Sequence, residues 1–304
     1  MKKSLTLIML FFLVCRAAFG QKDPLYAQYI NNPFVINPAY AGFTKDLNIN
    51  MSYRHQWTGL EGSPKTVNLN GHVSLFDNRM ATGVMFVSDK IGNSTTTEFM
   101  ATYAYRIKID NNKVLSFGLQ AGAINYKIDN SKVNPYDPGD PLFDGSTSKL
   151  NPTLGAGIIL SSHTFYIGLS VPRMLKANLH EADMSVAVYS QHYYVMGSYL
   201  FFVADRVRFK PSALIKLTER SPASVDVNAS FILFENYQAG LVTRNFNTYG
   251  IMLQAMVRNS FRVGYVFEVP TGNSVGSNFT THEITIGFRT AILTFHESNA
   301  VMSF

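Results

Sequence analysis

From Leu47 onward the chain alternates apolar and polar residues with the period of two that a pleated strand imposes. Leu47, Ile49, Met51, Tyr53 and Trp57 fall on one face and Asn48, Asn50, Ser52, Arg54 and Gln56 on the other. The pattern recurs: Val67, Leu69, Val73 and Leu75 oppose Asn68, Asn70, His72 and Ser74, and Val207, Phe209, Ala213, Ile215 and Leu217 oppose Arg208, Lys210, Ser212 and Lys216. Such runs predict about fourteen strands, near 47–57, 66–76, 79–88, 98–109, 113–127, 152–161, 164–171, 191–203, 206–218, 223–234, 236–244, 248–258, 260–269 and 282–294.

The connectors between these runs also alternate. Short ones (Asp77-Asn78, Asp110-Asn111-Asn112, Ser162-His163, Ala204-Asp205, Glu235-Asn236, Asn259) take turns with longer ones at 58–65, 89–97, 128–151, 172–190 and 270–281. An even strand number with tight turns at one end and long loops at the other predicts an all-β fold, a transmembrane antiparallel barrel of the outer-membrane type. Closure also satisfies every backbone group inside hydrocarbon. A secreted sandwich would alternate too, but it would leave edges to manage. Here nearly every strand sets an aliphatic and aromatic face against one of Arg, Lys, Asn and Ser. Tyr53, Tyr103, Tyr126, Tyr193, Tyr199, Tyr237 and Tyr249 fall near strand ends, where an interfacial girdle would place them.

The barrel must be reached through a leader. Lys2 and Lys3 precede an apolar run from Leu5 to Val14, and Ala18 and Gly20 set a cleavage site before Gln21, so residues 1–20 read as a secretory signal peptide. The domains follow as the leader, a periplasmic segment at 21–46, the barrel at 47–294 and a tail at 295–304. Both termini are expected on the periplasmic side of the outer membrane, because barrels of this type carry short periplasmic turns. Cys15, the single cysteine, belongs to the leader, which excludes disulfide and thiolate-metal chemistry from the mature chain. Without Lys2, Lys3 and Arg16 the chain keeps 23 basic against 20 acidic residues, too small an excess to argue for nucleic acid.

Candidate chemistry is sparse. The seven histidines form no HExxH and no two-His spacing on one strand face, so neither a metal site nor a cofactor is expected. His282 and Glu283 are neighbours on a strand and point to opposite faces. No nucleophile elbow activates a serine, so no catalytic residue and no small-molecule substrate are expected. The acids of "DPGDPLFDG" at 137–145 are spaced three and four apart and do not make a calcium loop. If the apolar faces meet lipid, Arg54, Arg106, Lys108, Arg208, Lys210, Lys216, Asp226, Arg244, Arg258, Arg262, Glu268, Glu283 and Arg289 project into the lumen. A packed network of ion pairs is the favoured account of them, over a basic-leaning channel for anions.

Before the first strand stands "YINNPFVINPAYAG", residues 29–42. Its two Asn-Pro steps remove backbone donors and rule out a regular sheet strand. Tyr29, Asn32, Pro33, Phe34, Asn37, Pro38, Tyr40 and Gly42 make it a candidate plug or partner-docking segment, expected to fold into or across the mouth of the barrel and to present a surface to other proteins. The longer stretch "DPLYAQYINNPFVINPAYAG" resembles the amino-terminal signature of the PorP/SprF outer-membrane proteins of Bacteroidota. "RHQWTGLEGSPKT", "SDKIG", "YAYRI", "LSFGLQAG", "YIGLSVP", "FRVGYVFEVPTG" and "THEITIGFR" resemble further blocks of that family in the same order.

That resemblance implies a non-enzymatic component of the type IX secretion and gliding machinery. Its implied partners are a secreted, adhesin-like surface protein carrying a type IX carboxy-terminal domain, or other components of the system such as its periplasmic ring. Outer-membrane lipid is the remaining partner. The chain continues past the "HEI" strand through "TAILTFHESNAVMSF", further than family members often run. The alternative function is a solute-conducting porin.

Overall fold

The computed structural model describes residues 28–130, 146–175, 177–181, 184–189, 191–218, 221–271, 275 and 278–293. The leader, residues 21–27, the loop at 137–145 and the tail at 295–304 lie outside the described residues. Antiparallel strands β1 (Leu47–His55), β2 (Lys65–Leu75), β3 (Met80–Ile91), β4 (Ser94–Lys108), β5 (Val114–Asp129), β6 (Ser146–Ser161) and β7 (Phe165–Val171) follow one another. A separate hairpin, β8 (Ala177–Glu181) and β9 (Met184–Tyr189), interrupts the series. It resumes with β10 (His192–Tyr199), β11 (Phe201–Ala204), β12 (Val207–Thr218), β13 (Ser221–Leu233), β14 (Tyr237–Arg244), β15 (Thr248–Val257), β16 (Phe261–Pro270) and β17 (Thr281–Thr290).

The ring closes where β1 pairs with β17, from Leu47 opposite Thr290 to His55 opposite His282. β10 and β11 both pair with β12 and are one strand broken at Leu200. The barrel therefore has fourteen members.

The strand positions follow the sequence pattern, and the differences have physical causes. The predicted loop at 89–97 is absent: β3 and β4 pair to Ile91 opposite Ser94, leaving a turn at Gly92-Asn93, where Gly92 has the positive φ of +58° that the tight reversal needs. β6 begins at Ser146 instead of 152, because β5 pairs with it as far as Asp129. The polar "STSKLN" start of β6 hides this extension from an apolar count. The predicted loop at 172–190 contains the β8–β9 hairpin. The last strand ends at Thr290 and not at 294.

Burial is inverted relative to a water-soluble protein. Met51, Leu119, Leu241 and Ile286 are exposed, while Asn50, Asn68, Asn228, Ser230 and Glu283 on the opposite faces are buried. Only a non-aqueous surround makes this arrangement favourable, so the outer face meets lipid. Aromatic rings gather on it near the short turns, where Tyr199, Phe201, Phe209 and Phe231 follow one another with centroids 4.5–6.2 Å apart. Tyr126 departs from the expected girdle: it is half-buried, and its hydroxyl donates to Ser94 Oγ at 3.2 Å.

Leu253, 51% exposed and flanked in register by Ala239 and Tyr265, lies midway along this outer face. Leu253→Arg should destabilise the inserted barrel by about 2–4 kcal/mol. A matching fall in the unfolding temperature on heat-modifiability gels, absent in Leu253→Ala, checks the face assignment.

Candidate functional site: a plug inside the lumen

The chain ahead of β1 is folded inside the barrel. Three single-turn 3-10 helices (Gln28–Ile30, Pro33–Val35, Pro38–Tyr40) carry it. Each proline opens its turn, where a missing N–H costs nothing, and Asn37 caps the last turn by accepting from Ala39 N at 2.9 Å. From Tyr29 to Asp46 every residue is buried except Val35, Phe43 and Lys45, which are half-buried.

The asparagines that the sequence singled out fasten this segment to strands on opposite sides of the ring. Asn31 Nδ2 donates to Gln254 Oε1 at 3.0 Å on β15, and Asn32 Nδ2 to Asn70 Oδ1 at 3.1 Å on β2. Asn37 Nδ2 donates to the Leu169 carbonyl at 3.1 Å on β7, where Ser170 Oγ also donates to the Ile36 carbonyl at 2.7 Å. Arg106 Nη2 donates to the Ala41 carbonyl at 2.8 Å, and the Gly42 amide to His72 Nδ1 at 3.0 Å. The segment thus spends its polar groups on the wall, as a buried non-sheet backbone must.

Its apolar side chains complete a core. Phe34 meets His72 edge-on at 5.1 Å, and Tyr40 stacks on Phe43 at 4.7 Å. Burial pushes the Tyr40 phenol up to about 12 and the Tyr29 phenol well up, so both stay neutral at physiological pH. The wall answers with Met85, Met100, Met196 and Met252, together with Ala81, Ala104, Ile159 and Leu214. The expectation of a polar inward face therefore needs correction. On β3 both faces are largely apolar, with Ala81, Met85 and Val87 inside and Val84 and Phe86 outside, a pattern that alternation alone cannot assign, and these inner positions receive the plug together with Met100 and Ala104 of β4.

A second feature escaped sequence reasoning, the glycine cradle under the Asn-Pro-Ala step. A Cβ on Gly118 would stand 2.1 Å from Ala39 N, and one on Gly157 would stand 2.1 Å from Asn37 Oδ1. Neither glycine has a positive φ; the close approach of the plug explains them, by its backbone over Gly118 and by the Asn37 and Pro38 side chains over Gly157. Gly42 is different, with a φ of +66° and Ala81 Cβ 2.5 Å from the place of its missing side chain.

The expected lumen charges divide. Arg54 bridges Glu268 at 2.6 Å and Glu283 at 3.0 Å, and Arg244 pairs with Asp226 at 3.2 Å while lying 3.7 Å from Glu268. Arg262 Nη2 donates to Asn50 Oδ1 at 3.0 Å. Arg289 lies 3.7 Å from Asp46 at the seam where the plug joins β1, and Lys210 and Lys216 are buried on β12. Glu98 and Arg173, which the sequence did not single out, pair inside at 2.6 Å. Three expected lumen residues need correction. Lys108 is exposed at the last position of β4, Arg258 is exposed in the β15–β16 turn, and Arg208 is half-buried near the β11–β12 turn with Glu235 at 2.5 Å. Each lies within two residues of an end of its strand, at the rim, where inward parity no longer buries it.

Comparison with known proteins decides the family. The model of the type IX secretion system membrane protein PorP/SprF family matches residues 18–288. This chain belongs to the PorP/SprF family. No curated protein matches it. Among solved structures, the CymD monoaromatic hydrocarbon channel is similar at 9% identity and a TM-score of 0.51, covering 91% of this chain and 96% of that one. The Acinetobacter baumannii outer membrane protein Omp33 is similar at 11% identity and a TM-score of 0.47, covering 82% of this chain and all of that one. The likeness to CymD bears on the fold alone. This PorP/SprF protein is an outer-membrane β-barrel whose signature segment is the plug just described.

Proposed function

We propose that this PorP/SprF barrel supports export or surface retention of a partner protein by the type IX system, with the signature segment keeping its lumen shut. The single observation that supports this reading is the lumen itself. Where a diffusion porin needs a water-filled bore, this one is crossed by residues 29–46, buried and bonded to β2, β4, β7, β14, β15 and β16. Eight basic and six acidic side chains are buried among the described residues. Most of those described above pair with one another or bond the plug, and such an interior suits a packed plug better than an anion path.

The partner is an adhesin-like surface protein carrying a type IX carboxy-terminal domain, or another component of the system. The plug has little surface of its own to offer it, since only Val35, Phe43 and Lys45 are half-buried. Recognition therefore falls to the rims of the barrel, and the plug's part is to hold the barrel wall in shape and closed.

Deletion of residues 29–42, with the leader and its cleavage site kept, tests the proposal in cells. Insertion should persist at a reduced unfolding temperature while surface display of the partner falls several-fold. Undiminished display from the truncated barrel would remove the segment from the export role. Glu61 stands on the β1–β2 loop and Asp77 in the β2–β3 turn, both exposed. With both termini periplasmic, a cysteine at Glu61 should be labelled by an impermeant maleimide on intact cells and one at Asp77 should not; the opposite pattern would invert the orientation.

A further inference from the structure

At the rim that carries the β1–β2 loop and the β3–β4 turn, the outer wall carries three lysines and a histidine with no assigned role. In register across five neighbouring strands stand His55 on β1, Lys65 on β2, Lys90 on β3, Thr95 on β4 and Lys127 on β5. Strand parity points all five outward, because the buried positions of these strands are the alternate ones: Arg54, Thr66, Asp89, Glu98 and Ile124. The three lysines are exposed and line one groove of about 750 Å³ beneath the β1–β2 loop.

Two features set this row apart from an ordinary solvated rim. Lys65 and Lys90 are directly opposite each other, an unfavourable like-charge pair, and among the described residues none of the three lysines has an acid within ion-pair distance. Glu61 and Asp129 also line the groove, and they leave the basic side in excess. Four residues down the same outward columns, about 13 Å along the strands, stand Leu69, Phe86 and Phe99, all exposed to lipid. The lysines therefore sit where the apolar wall ends and headgroups begin.

We infer that this groove binds the anionic phosphorylated headgroup of a membrane lipid whose acyl chains lie along Leu69, Phe86 and Phe99. A phosphate placed among the lysine ammoniums would relieve the Lys65–Lys90 repulsion, and the apolar columns below select a lipid over free phosphate. The inference rests on the barrel and its register, and stands whether or not the barrel serves secretion.

Native mass spectrometry of the full-length barrel in mild detergent tests it. The probes are a phosphatidylglycerol, a phosphatidylcholine and inorganic phosphate, with the wild type and the Lys65→Gln/Lys90→Gln/Lys127→Gln variant compared after heat-modifiability confirms folding. The wild type should retain phosphatidylglycerol about tenfold better than phosphatidylcholine. The triple variant should lose that preference, and Lys113→Gln at the other rim should keep it. If the triple variant does not fold, Lys90→Gln alone should reduce the preference. Equal retention of both lipids, an unchanged preference in the variants, or displacement of the lipid by inorganic phosphate would each overturn the proposal.

Discussion

Gly118→Leu should drive the Asn-Pro segment out of the lumen while the ring of strands stays closed. A Cβ at this position would lie 2.1 Å from Ala39 N and 2.3 Å from the Pro38 carbonyl carbon, both backbone atoms that cannot swing aside as a flexible side chain would. Their turn is pinned by Asn37, which bonds Ala39 N within the segment and the Leu169 carbonyl on the wall. Overpacking of about 1–3 kcal/mol is the minimum consequence. Losing the burial of Tyr40, Phe34 and Ile36 adds to it. In wild-type protein the segment should resist proteinase K under conditions that leave the barrel intact. In Gly118→Leu it should be clipped, and the unfolding temperature should fall. Gly197→Ala is the control: its added Cβ would come no nearer than 3.5 Å to the Tyr166 carbonyl, and both properties should stay unchanged. A protected segment in Gly118→Leu would mean that the cradle is not what positions it.

Arg54→Ala should be the most damaging single change in the lumen wall. It removes the cation 3.0 Å from Glu283 and the one 2.6 Å from Glu268, leaving Arg244 at 3.7 Å from Glu268, in a region where both carboxylates are buried. Breaking a buried pair from one side costs about 3–5 kcal/mol, because the partner's charge stays without compensation. The urea midpoint in detergent should fall accordingly, and adding Glu283→Gln should recover part of the loss in a double-mutant cycle. Equal midpoints for the wild type and Arg54→Ala would mean that this network contributes nothing to stability.

Much of this was legible in the residues, because lipid and lumen impose the alternation at nearly every strand. Leu69 against Asn70 or Ile286 against Glu283 can be satisfied in only one way once the surround is apolar. Strand ends were harder to read: Ser94–Thr97 and Ser146–Ser148 extend ladders with polar residues on both faces, so hydrophobicity carries no signal there. The Asn-Pro prolines announced a non-strand segment, but the depth of its burial depended on partners far along the chain. Gly118 and Gly157 look like ordinary strand glycines until Asn37 and Ala39 are placed over them. Met85, Met100 and Met252, which line the plug, read equally well as lipid-facing until closure of the ring fixes their parity.

Conductance of the purified barrel in a planar lipid bilayer tests the central claim, that the signature segment shuts the lumen. Wild-type protein should insert without a steady open state, and the barrel lacking residues 29–42 should give a large, sustained current. A large and steady pore in the wild type, unchanged by the deletion, would contradict the account and favour a solute-conducting porin.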